Sequence, residues 1–160
     1  MKRDNLFIPG KMKYIKGERP DVDCILCAVR DGDDRVDRLI IHKGRYFIVS
    51  LNLYPYNPGH LIVFPKRHIL SISEYSEKEV YNLHRLTVRC IRTLDRIYSP
   101  FGYNIGYNIG SFSGASIEHL HLHIIPRYPN EVGIIDLIGG SRVIVEDPLK
   151  ALKKIRKGFK

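Results

Sequence analysis

The sequence lacks any apolar run of the roughly 18 residues that a membrane-spanning helix needs. Its first residues, Met1 to Asn5, also lack the apolar core of a secretory signal peptide. We therefore expect a cytoplasmic protein with no membrane partner.

Low-complexity linkers are also missing, which favours a single domain over residues 1–160. The pattern indicates a polar N-terminal arm over residues 1–23, a core over residues 24–127, and a tail with a helix over residues 128–160. A chain of 160 residues can bury a sizeable core without disulfide bonds. Hydrophobic residues make up 44% of the chain, which is typical of a globular protein and not of a disordered one.

Cysteine is scarce, with three residues in the whole chain. Cys24 and Cys27 form a C-x-x-C pair. In a reducing compartment such a pair favours metal binding or redox chemistry over a structural disulfide. Cys90 stands alone in a helical pattern and is interpreted as a small buried hydrophobic residue.

Acidic residues are too few to balance the basic ones, and the formal net charge is +9. This balance suits an anionic partner such as a nucleotide, although a solvated basic surface is the ordinary alternative. The run Lys150 to Lys160 is interpreted as the solvated face of a helix. No nucleic-acid-recognition motif accompanies the charge, so we expect no specific nucleic-acid partner.

Short apolar segments predict a sheet, and one long amphipathic pattern predicts a helix. The predicted strands are residues 38–42, 46–52, 61–64, 103–110 and 119–127. Ser76 and Glu79 form a capping box that opens the long helix, and Asp147-Pro148 starts a short C-terminal helix. This order favours an α+β fold with a helix on one face of the sheet over βαβ winding.

The long helix should bury one stripe of side chains at helical spacing. The residues of this predicted stripe are Val80, Leu83, Thr87, Ile91, Leu94 and Tyr98.

The most informative segment is His119-Leu-His-Leu-His-Ile-Ile-Pro-Arg127. Because strand side chains alternate, His119, His121 and His123 should share one face while the leucines face the core. A strand face that is polar by chance is a poor explanation for three histidines. Imidazoles two residues apart on a strand lie roughly 6–7 Å apart, which is wide for three ligands of one ion. Neutral imidazole is also a nucleophile, so a central nucleophile with flanking donors fits better than a metal site.

This segment resembles the signature of the histidine triad family, His-φ-His-φ-His-φ-φ, in which φ is apolar. Asn52 with Pro58-Gly59-His60 is similar to the family's first nucleotide-binding strand and turn. Asn108 stands where members carry Asn or Gln facing a phosphate, and residues 113–116 stand at the small-residue phosphate loop. The resemblance covers residues 24 to 127 and implies an antiparallel sheet with one long helix and a short C-terminal helix. It also implies a homodimer.

The mechanism implied by the resemblance is double displacement. His121 attacks the α-phosphorus of a nucleotide, and water, phosphate or another acceptor then cleaves the nucleotidyl-imidazole. His121 and His123 are the implied catalytic residues, and His60 is an implied partner of the triad. The implied substrate contacts are Asn52, Asn108, Gly114, Ala115, Ser116, Ile117 and His123.

Some members of this family bind a structural zinc ion, and the positions of its ligands are filled here by Cys24, Cys27, His68 and His119. Two sulfurs and two nitrogens suit tetrahedral zinc. Four protein ligands leave no open coordination position, so the implied role of zinc is structural. His119 is then a metal ligand, and His121 and His123 remain for the chemistry.

The lead-in to Cys24 and the segment 113–119 look like those of the diadenosine tetraphosphate phosphorylase type. Ala115 replaces a glutamine that is usual in the phosphoramidase and fragile-histidine-triad branches. We therefore expect cleavage of dinucleoside polyphosphates by hydrolysis or phosphorolysis. The alternatives are a nucleoside phosphoramidase, a nucleotidyl transferase, a nucleotide-binding regulatory module with little turnover, and a basic protein that binds nucleic acid through charge alone.

Overall fold

Five strands form one antiparallel sheet in the order β1-β2-β3-β5-β4 in the computed structural model, which describes residues 19–129 and 147–159. The strands are β1 (Ile40–Lys43), β2 (Phe47–Leu51), β3 (Leu61–Pro65), β4 (Gly102–Tyr107) and β5 (Leu122–Arg127). The helices are α1 (Ile25–Asp31), α2 (Glu77–Tyr98) and α3 (Pro148–Gly158), and short 3₁₀ turns lie at Ile72–Glu74 and Ser111–Ser113. The α+β fold is confirmed. Most of the predicted N-terminal arm and the first part of the tail lie outside the described residues.

Strands β2 and β3 are buried along their whole length because both faces of the sheet are covered. Phe47 and Val63 belong to the core beneath α2 and α3. Ile48 and Phe64, on the other face, pack into a second cluster with residues of α1. The prediction of a helix on one face was therefore incomplete.

Helix α1 was not predicted, because seven residues are too few to show a helical period. Both ends of the helix nevertheless carry ordinary capping features. The Sγ atom of Cys24 accepts a hydrogen bond from the Cys27 N–H at the N-cap. Gly32 ends the helix with φ of 85°, a left-handed conformation that glycine adopts without strain. The C-x-x-C pair therefore lies at the beginning of a helix.

The predicted start of the long helix is confirmed, but part of its predicted stripe is wrong. Val80 is 54% exposed, and Thr87 and Ile91 are only half-buried. The residues that α2 buries are Glu79, Leu83, Leu86, Cys90, Thr93 and Leu94. At 100° per residue, Val80, Thr87 and Ile91 all lie to the same side of Leu83, by about 40–80°. They therefore lie at the solvent edge of the stripe that faces the sheet. The interpretation of Cys90 as a buried hydrophobic residue is confirmed.

Four predicted strands are shorter in the structure, and β2 loses one residue at each end. β1 begins at Ile40 and β4 ends at Tyr107. β5 begins at Leu122, not at residue 119, because the Leu120 N–H donates to the Ile69 carbonyl oxygen, outside the sheet. Residues 119–121 therefore form a bend that leads into β5.

No helix in the described ranges combines the length and the apolar character that crossing a bilayer requires.

The buried carboxylate of Glu79 makes the start of α2 sensitive to pH. It accepts hydrogen bonds from Arg67 at 2.7 and 2.8 Å and from the Ser76 N–H at 2.8 Å. These bonds lower the pKa of Glu79 from 4.5 to about 2. Because the folded-state pKa lies below the unfolded one, the stabilisation is complete above pH 4.5 and is lost as the pH falls toward 2.

We predict that Glu79→Gln lowers the free energy of unfolding by about 1–2 kcal/mol at pH 7, the range of one helix cap and its hydrogen bonds. Urea unfolding at pH 7 and near pH 3 measures the effect. The gap to the wild type should narrow at the lower pH. Glu77→Gln, an exposed change in the same turn, is the control. A gap that stays constant with pH would contradict this role of Glu79.

Candidate active site

A cavity of about 540 Å³ lies on the face of the sheet that carries α1. Apolar side chains of α1 and β3 form one part of its wall, among them Leu26, Val29 and Ile62. Most of the predicted substrate-contacting residues form another part, namely Asn52, Asn108, Gly114, Ser116, Ile117, His121 and His123. Ala115 is not in the lining, although both of its neighbours are. A cavity of this size with apolar and polar walls is typical of a small-molecule site.

His121 is held in one tautomer by the bend before β5. Its Nδ1 atom lies 2.7 Å from the backbone carbonyl oxygen of His119. A carbonyl oxygen can only accept, so Nδ1 carries the proton and the lone pair is on Nε2. Burial lowers the pKa of His121, which keeps the ring neutral at pH 7. The result is a neutral imidazole with a free lone pair in the wall of a cavity, which is the state a nucleophile needs.

His123 is fixed in the opposite tautomer by a chain of hydrogen bonds. The Tyr56 backbone N–H donates to Nδ1 of His60 at 3.1 Å, so the proton of His60 is on Nε2. Nε2 of His60 then donates to Nδ1 of His123 at 3.0 Å, which leaves the proton of His123 on Nε2. Within the described ranges, no protein atom hydrogen-bonds to this buried Nε2. His123 therefore offers a hydrogen-bond donor to a ligand in the cavity.

The imidazole rings of this site are packed against one another. The ring centroids of His121 and His123 lie 4.7 Å apart, and those of His60 and His123 lie 5.2 Å apart. Tyr56 stacks on His60 at 5.1 Å. Burial lowers the pKa of His123 to about 4, so this ring is also neutral at pH 7. The pair presents one acceptor and one donor side by side.

Asn52 reaches this network from the end of β2. Its Nδ2 atom lies 3.3 Å from the ring nitrogens of His60, and its Oδ1 atom accepts from the Tyr54 N–H at 3.1 Å. The side chain therefore holds the turn before β3 while it lines the cavity.

The side chain of His119 lies on the same side of the sheet as those of His121 and His123, since its ring packs against Phe64 on the face that carries α1. It reaches the cysteines at the start of α1 and not the cavity. Nδ1 of His119 lies 3.4 Å from Sγ of Cys24 and 3.5 Å from Sγ of Cys27, and His119 does not line the cavity.

Cys24, Cys27, His68 and His119 form a cluster whose four candidate ligand atoms all lie within 4.8 Å of one another. Nδ1 of His68 lies 3.5 Å from Sγ of Cys27. Tetrahedral zinc, with bonds of roughly 2.3 Å to sulfur and 2.0 Å to nitrogen, places such ligands about 3.5 Å apart. The four residues therefore could hold a metal ion, as predicted.

The surroundings of His119 also suit metal binding. Its Nε2 atom donates to the Pro65 carbonyl oxygen at 2.9 Å, so the lone pair of Nδ1 faces the two sulfurs. Burial lowers the pKa of His119 to about 4, which keeps the ring neutral, as a metal ligand must be. Burial and the neighbouring Cys24 raise the pKa of Cys27 to about 11, which favours the neutral thiol. A metal cation between the two sulfurs would favour the thiolate instead.

The family model described as the HIT domain matches residues 34–130, more than half of the chain. The chain belongs to the histidine triad (HIT) family.

Two curated relatives of this HIT chain are named for enzymes. The AP-4-A phosphorylase of Mycobacterium tuberculosis is 40% identical over 107 residues, which cover 66% of the chain and 55% of that protein. The chain thus spans about half the length of this relative. The adenosine 5'-monophosphoramidase hnt1 of Schizosaccharomyces pombe is 27% identical over 131 residues, which cover 82% of the chain and 93% of that protein.

A solved structure shows the same fold. A Zn-bound histidine triad family protein from Mycobacterium smegmatis matches with a TM-score of 0.70 and 23% identity. The match covers 86% of this chain and 93% of that one.

Some residues of the HIT site were missed by the sequence analysis. Leu26 and Val29 line the cavity from the unpredicted helix α1, and their only signal is the apolar spacing that follows Cys24. Tyr56 lies between the predicted strands 46–52 and 61–64, where the sequence analysis assigned it no role. Its backbone N–H sets the tautomer of His60, and no sequence pattern marks a backbone donor.

We predict that ¹⁵N NMR of the imidazole rings near pH 7 shows the Nδ1–H tautomer for His121 and the Nε2–H tautomer for His123. His60→Phe keeps a ring beside Tyr56 but removes the donor to His123. In that variant His123 should populate both tautomers while His121 is unchanged. A single unchanged tautomer of His123 in the variant would show that His60 does not control it.

Proposed function

We propose that this HIT protein cleaves dinucleoside polyphosphates, as a hydrolase or phosphorylase, through a nucleotidyl intermediate on His121. The observation that carries the proposal is the hydrogen bond from Nδ1 of His121 to the His119 carbonyl, which leaves the Nε2 lone pair free beside a cavity. The similarity to an AP-4-A phosphorylase supports the substrate class.

In the first step, Nε2 of His121 attacks the α-phosphorus of the bound nucleotide. A P–N bond forms, the P–O bond to the leaving nucleotide breaks, and the leaving oxygen takes the bonding electron pair. His123 donates its Nε2–H hydrogen bond to an oxygen of the reacting phosphate. The covalent intermediate divides one difficult substitution into two easier ones.

The residues around the phosphate supply donors for its negative charge. Gly114 adopts φ of 86° and has open space where a Cβ atom would stand, so a phosphate can approach the backbone closely. The backbone N–H groups of residues 114–117 and the Ser116 hydroxyl are the proposed donors, and this includes the N–H of Ala115. Asn108 adds an amide at the cavity wall. Positioning and charge stabilisation are the main requirements of phosphoryl-type transfer.

The nucleoside is assigned to the apolar part of the cavity. Leu26, Val29 and Ile62 offer an apolar surface for the base, and Asn52 is the proposed contact of the ribose. In the second step, water or phosphate attacks the same phosphorus, the P–N bond breaks, and the imidazole regains its lone pair. Water gives hydrolysis and phosphate gives phosphorolysis.

A nucleoside phosphoramidase is the second candidate. The relative named as an adenosine 5'-monophosphoramidase matches 82% of the chain, and the same nucleophile serves both reactions. Ala115 stands where that branch usually carries glutamine, which favours the first candidate. A nucleotidyl transferase would pass the nucleotidyl group from His121 to an acceptor other than water or phosphate. A regulatory nucleotide-binding module would form little or no covalent intermediate.

We predict that His121→Ala lowers the rate of diadenosine tetraphosphate cleavage at least a thousandfold, because the covalent route is lost. Binding of AMP should change little. His84→Ala, a change at an exposed histidine remote from the cavity, is the control. Separation of the products with and without phosphate distinguishes ADP plus ATP from AMP plus ATP.

Single-turnover rates equal to those of the wild type would overturn the role of His121. Wild-type protein that binds AMP but forms no labelled covalent adduct and no product would indicate a regulatory module. Cleavage of an adenosine phosphoramidate in preference to the dinucleotide would favour the second candidate.

We further propose that the ion at Cys24, Cys27, His68 and His119 is zinc and that its role is structural. Two thiolates and two imidazoles suit zinc, and the distances between the candidate ligand atoms fit its tetrahedral geometry. The ligands come from α1, from the segment after β3 and from the bend before β5. Zinc would therefore join the cavity wall at α1 to the residues that position His121.

We predict about one zinc ion per chain in protein purified without chelators, measured by elemental analysis. Cys27→Ser should lose most of the metal and lower the melting temperature, because metal binding stabilises the folded state. Cys90→Ala, a change at a buried cysteine outside the cluster, should keep the metal. Wild-type protein free of zinc, or equal metal loss in both variants, would exclude the site.

The homodimer and the cytoplasmic location stay predictions.

A further inference from the structure

A second cavity, of about 710 Å³, lies beside α2 on the face of the sheet opposite to the catalytic cavity. Five arginines line it, and we call this surface the arginine groove; they are Arg45, Arg85, Arg89, Arg92 and Arg96. Among the described residues that line the groove, none is acidic. A concave surface with charge of one sign concentrates ligands of the opposite charge.

Four of these arginines form one row along α2. Positions 85, 89, 92 and 96 follow steps of four, three and four residues, so the side chains share one face of the helix. The row extends about 16 Å along the helix axis. Like charges at such spacing repel one another, and no carboxylate of the lining offsets them. An extended anion would relieve this repulsion along its whole length.

Part of the groove is already rigid. The guanidinium of Arg89 lies 4.3 Å from the centroid of the Phe159 ring. Arg96 donates to the Gly158 carbonyl oxygen at 2.7 Å, at the end of α3. Arg92 is exposed and, within residues 19–129 and 147–159, makes no hydrogen bond or ion pair. The row therefore combines guanidinium groups that are held by α3 with the exposed guanidinium of Arg92.

An aromatic side chain extends the row at its beginning. Tyr81 is 64% exposed and lies one turn before Arg85, whose guanidinium is 5.8 Å from the centroid of the tyrosine ring. A basic groove that follows a phosphate chain, together with an exposed ring on which a base can stack, is the combination that binds single-stranded nucleic acid.

We propose that the arginine groove binds the phosphate backbone of single-stranded nucleic acid without sequence preference. Contacts to phosphates carry no sequence information, which agrees with the absence of a recognition motif. The proposal does not depend on the proposed catalysis, because the sheet separates the groove from the catalytic cavity.

The test compares two double variants that each lower the formal net charge from +9 to +5, since each of two basic residues becomes glutamate. R85E/R92E changes the groove and leaves Arg89 and Arg96, which contact α3, in place. K78E/K150E changes two exposed lysines outside the groove. Fluorescence anisotropy with a labelled oligouridine of about 20 nucleotides measures binding between about 50 and 200 mM salt. Melting temperatures verify that both variants fold.

We expect R85E/R92E to raise Kd about tenfold or more and to reduce the slope of log Kd against log salt by about 1.4, the value for two lost phosphate contacts. K78E/K150E should stay within twofold of the wild type. Tyr81→Ala should weaken oligouridine binding about fivefold or more, because a stacked base is lost. All three variants should cleave diadenosine tetraphosphate like the wild type.

Several results would overturn the proposal. Equal weakening by both double variants would show diffuse attraction to the net charge. Displacement of oligouridine by AMP would place the strand in the catalytic cavity. Tighter binding of inorganic polyphosphate, with no effect of Tyr81→Ala, would make the groove a polyphosphate site. Wild-type protein that binds no oligouridine at the lowest salt would remove the site altogether.

Discussion

The hydrogen bond from Nδ1 of His121 to the backbone carbonyl of His119 is the interaction on which the rest of the site depends. It decides which ring nitrogen keeps its lone pair, and it exists only because the chain bends before β5. The same segment carries the His119 side chain, which contacts the two cysteines. One short segment before β5 therefore serves both the candidate nucleophile and the candidate metal cluster.

The opposite tautomers of His121 and His123 have separate origins. His121 is set within its own segment, over two residues, whereas His123 is set by a chain that begins at the backbone of Tyr56 and passes through His60. The first arrangement is local and therefore robust. The second depends on the packing of the turn before β3, where Tyr56 stacks on His60.

The sequence predicted those features of the site that depend on residue type alone. Three alternating histidines, an N-cap serine with its glutamate, and a C-x-x-C pair can be read directly from the sequence. In the structure His119 lies on the same side of the sheet as His121 and His123 but contacts the cysteines and not the cavity. The two cysteines and two histidines were grouped by family resemblance, because no spacing joins Cys27 to His119 along the chain.

What could not be predicted comes from the backbone and from packing. Helix α1 is too short to show a helical period, and Val80 is exposed although it lies only one turn before the buried Leu83. The bend at residues 119–121 arises because the Leu120 N–H bonds outside the sheet, which no residue type encodes. The row of arginines on α2 was present in the sequence, but only the fold shows that the described residues lining the groove include no acidic side chain.

Strands β2 and β3 present successive side chains to two different hydrophobic clusters, since α1 covers one face of the sheet and α2 with α3 cover the other. A single-residue insertion in either strand would exchange the side chains that face the two clusters and disrupt the packing of both. A change in chain length is therefore better tolerated in the turns than within these two strands. The cluster beneath α2 and α3 and the cluster beside α1 can each change by substitution, but neither can shift its register along β2 and β3 independently of the other.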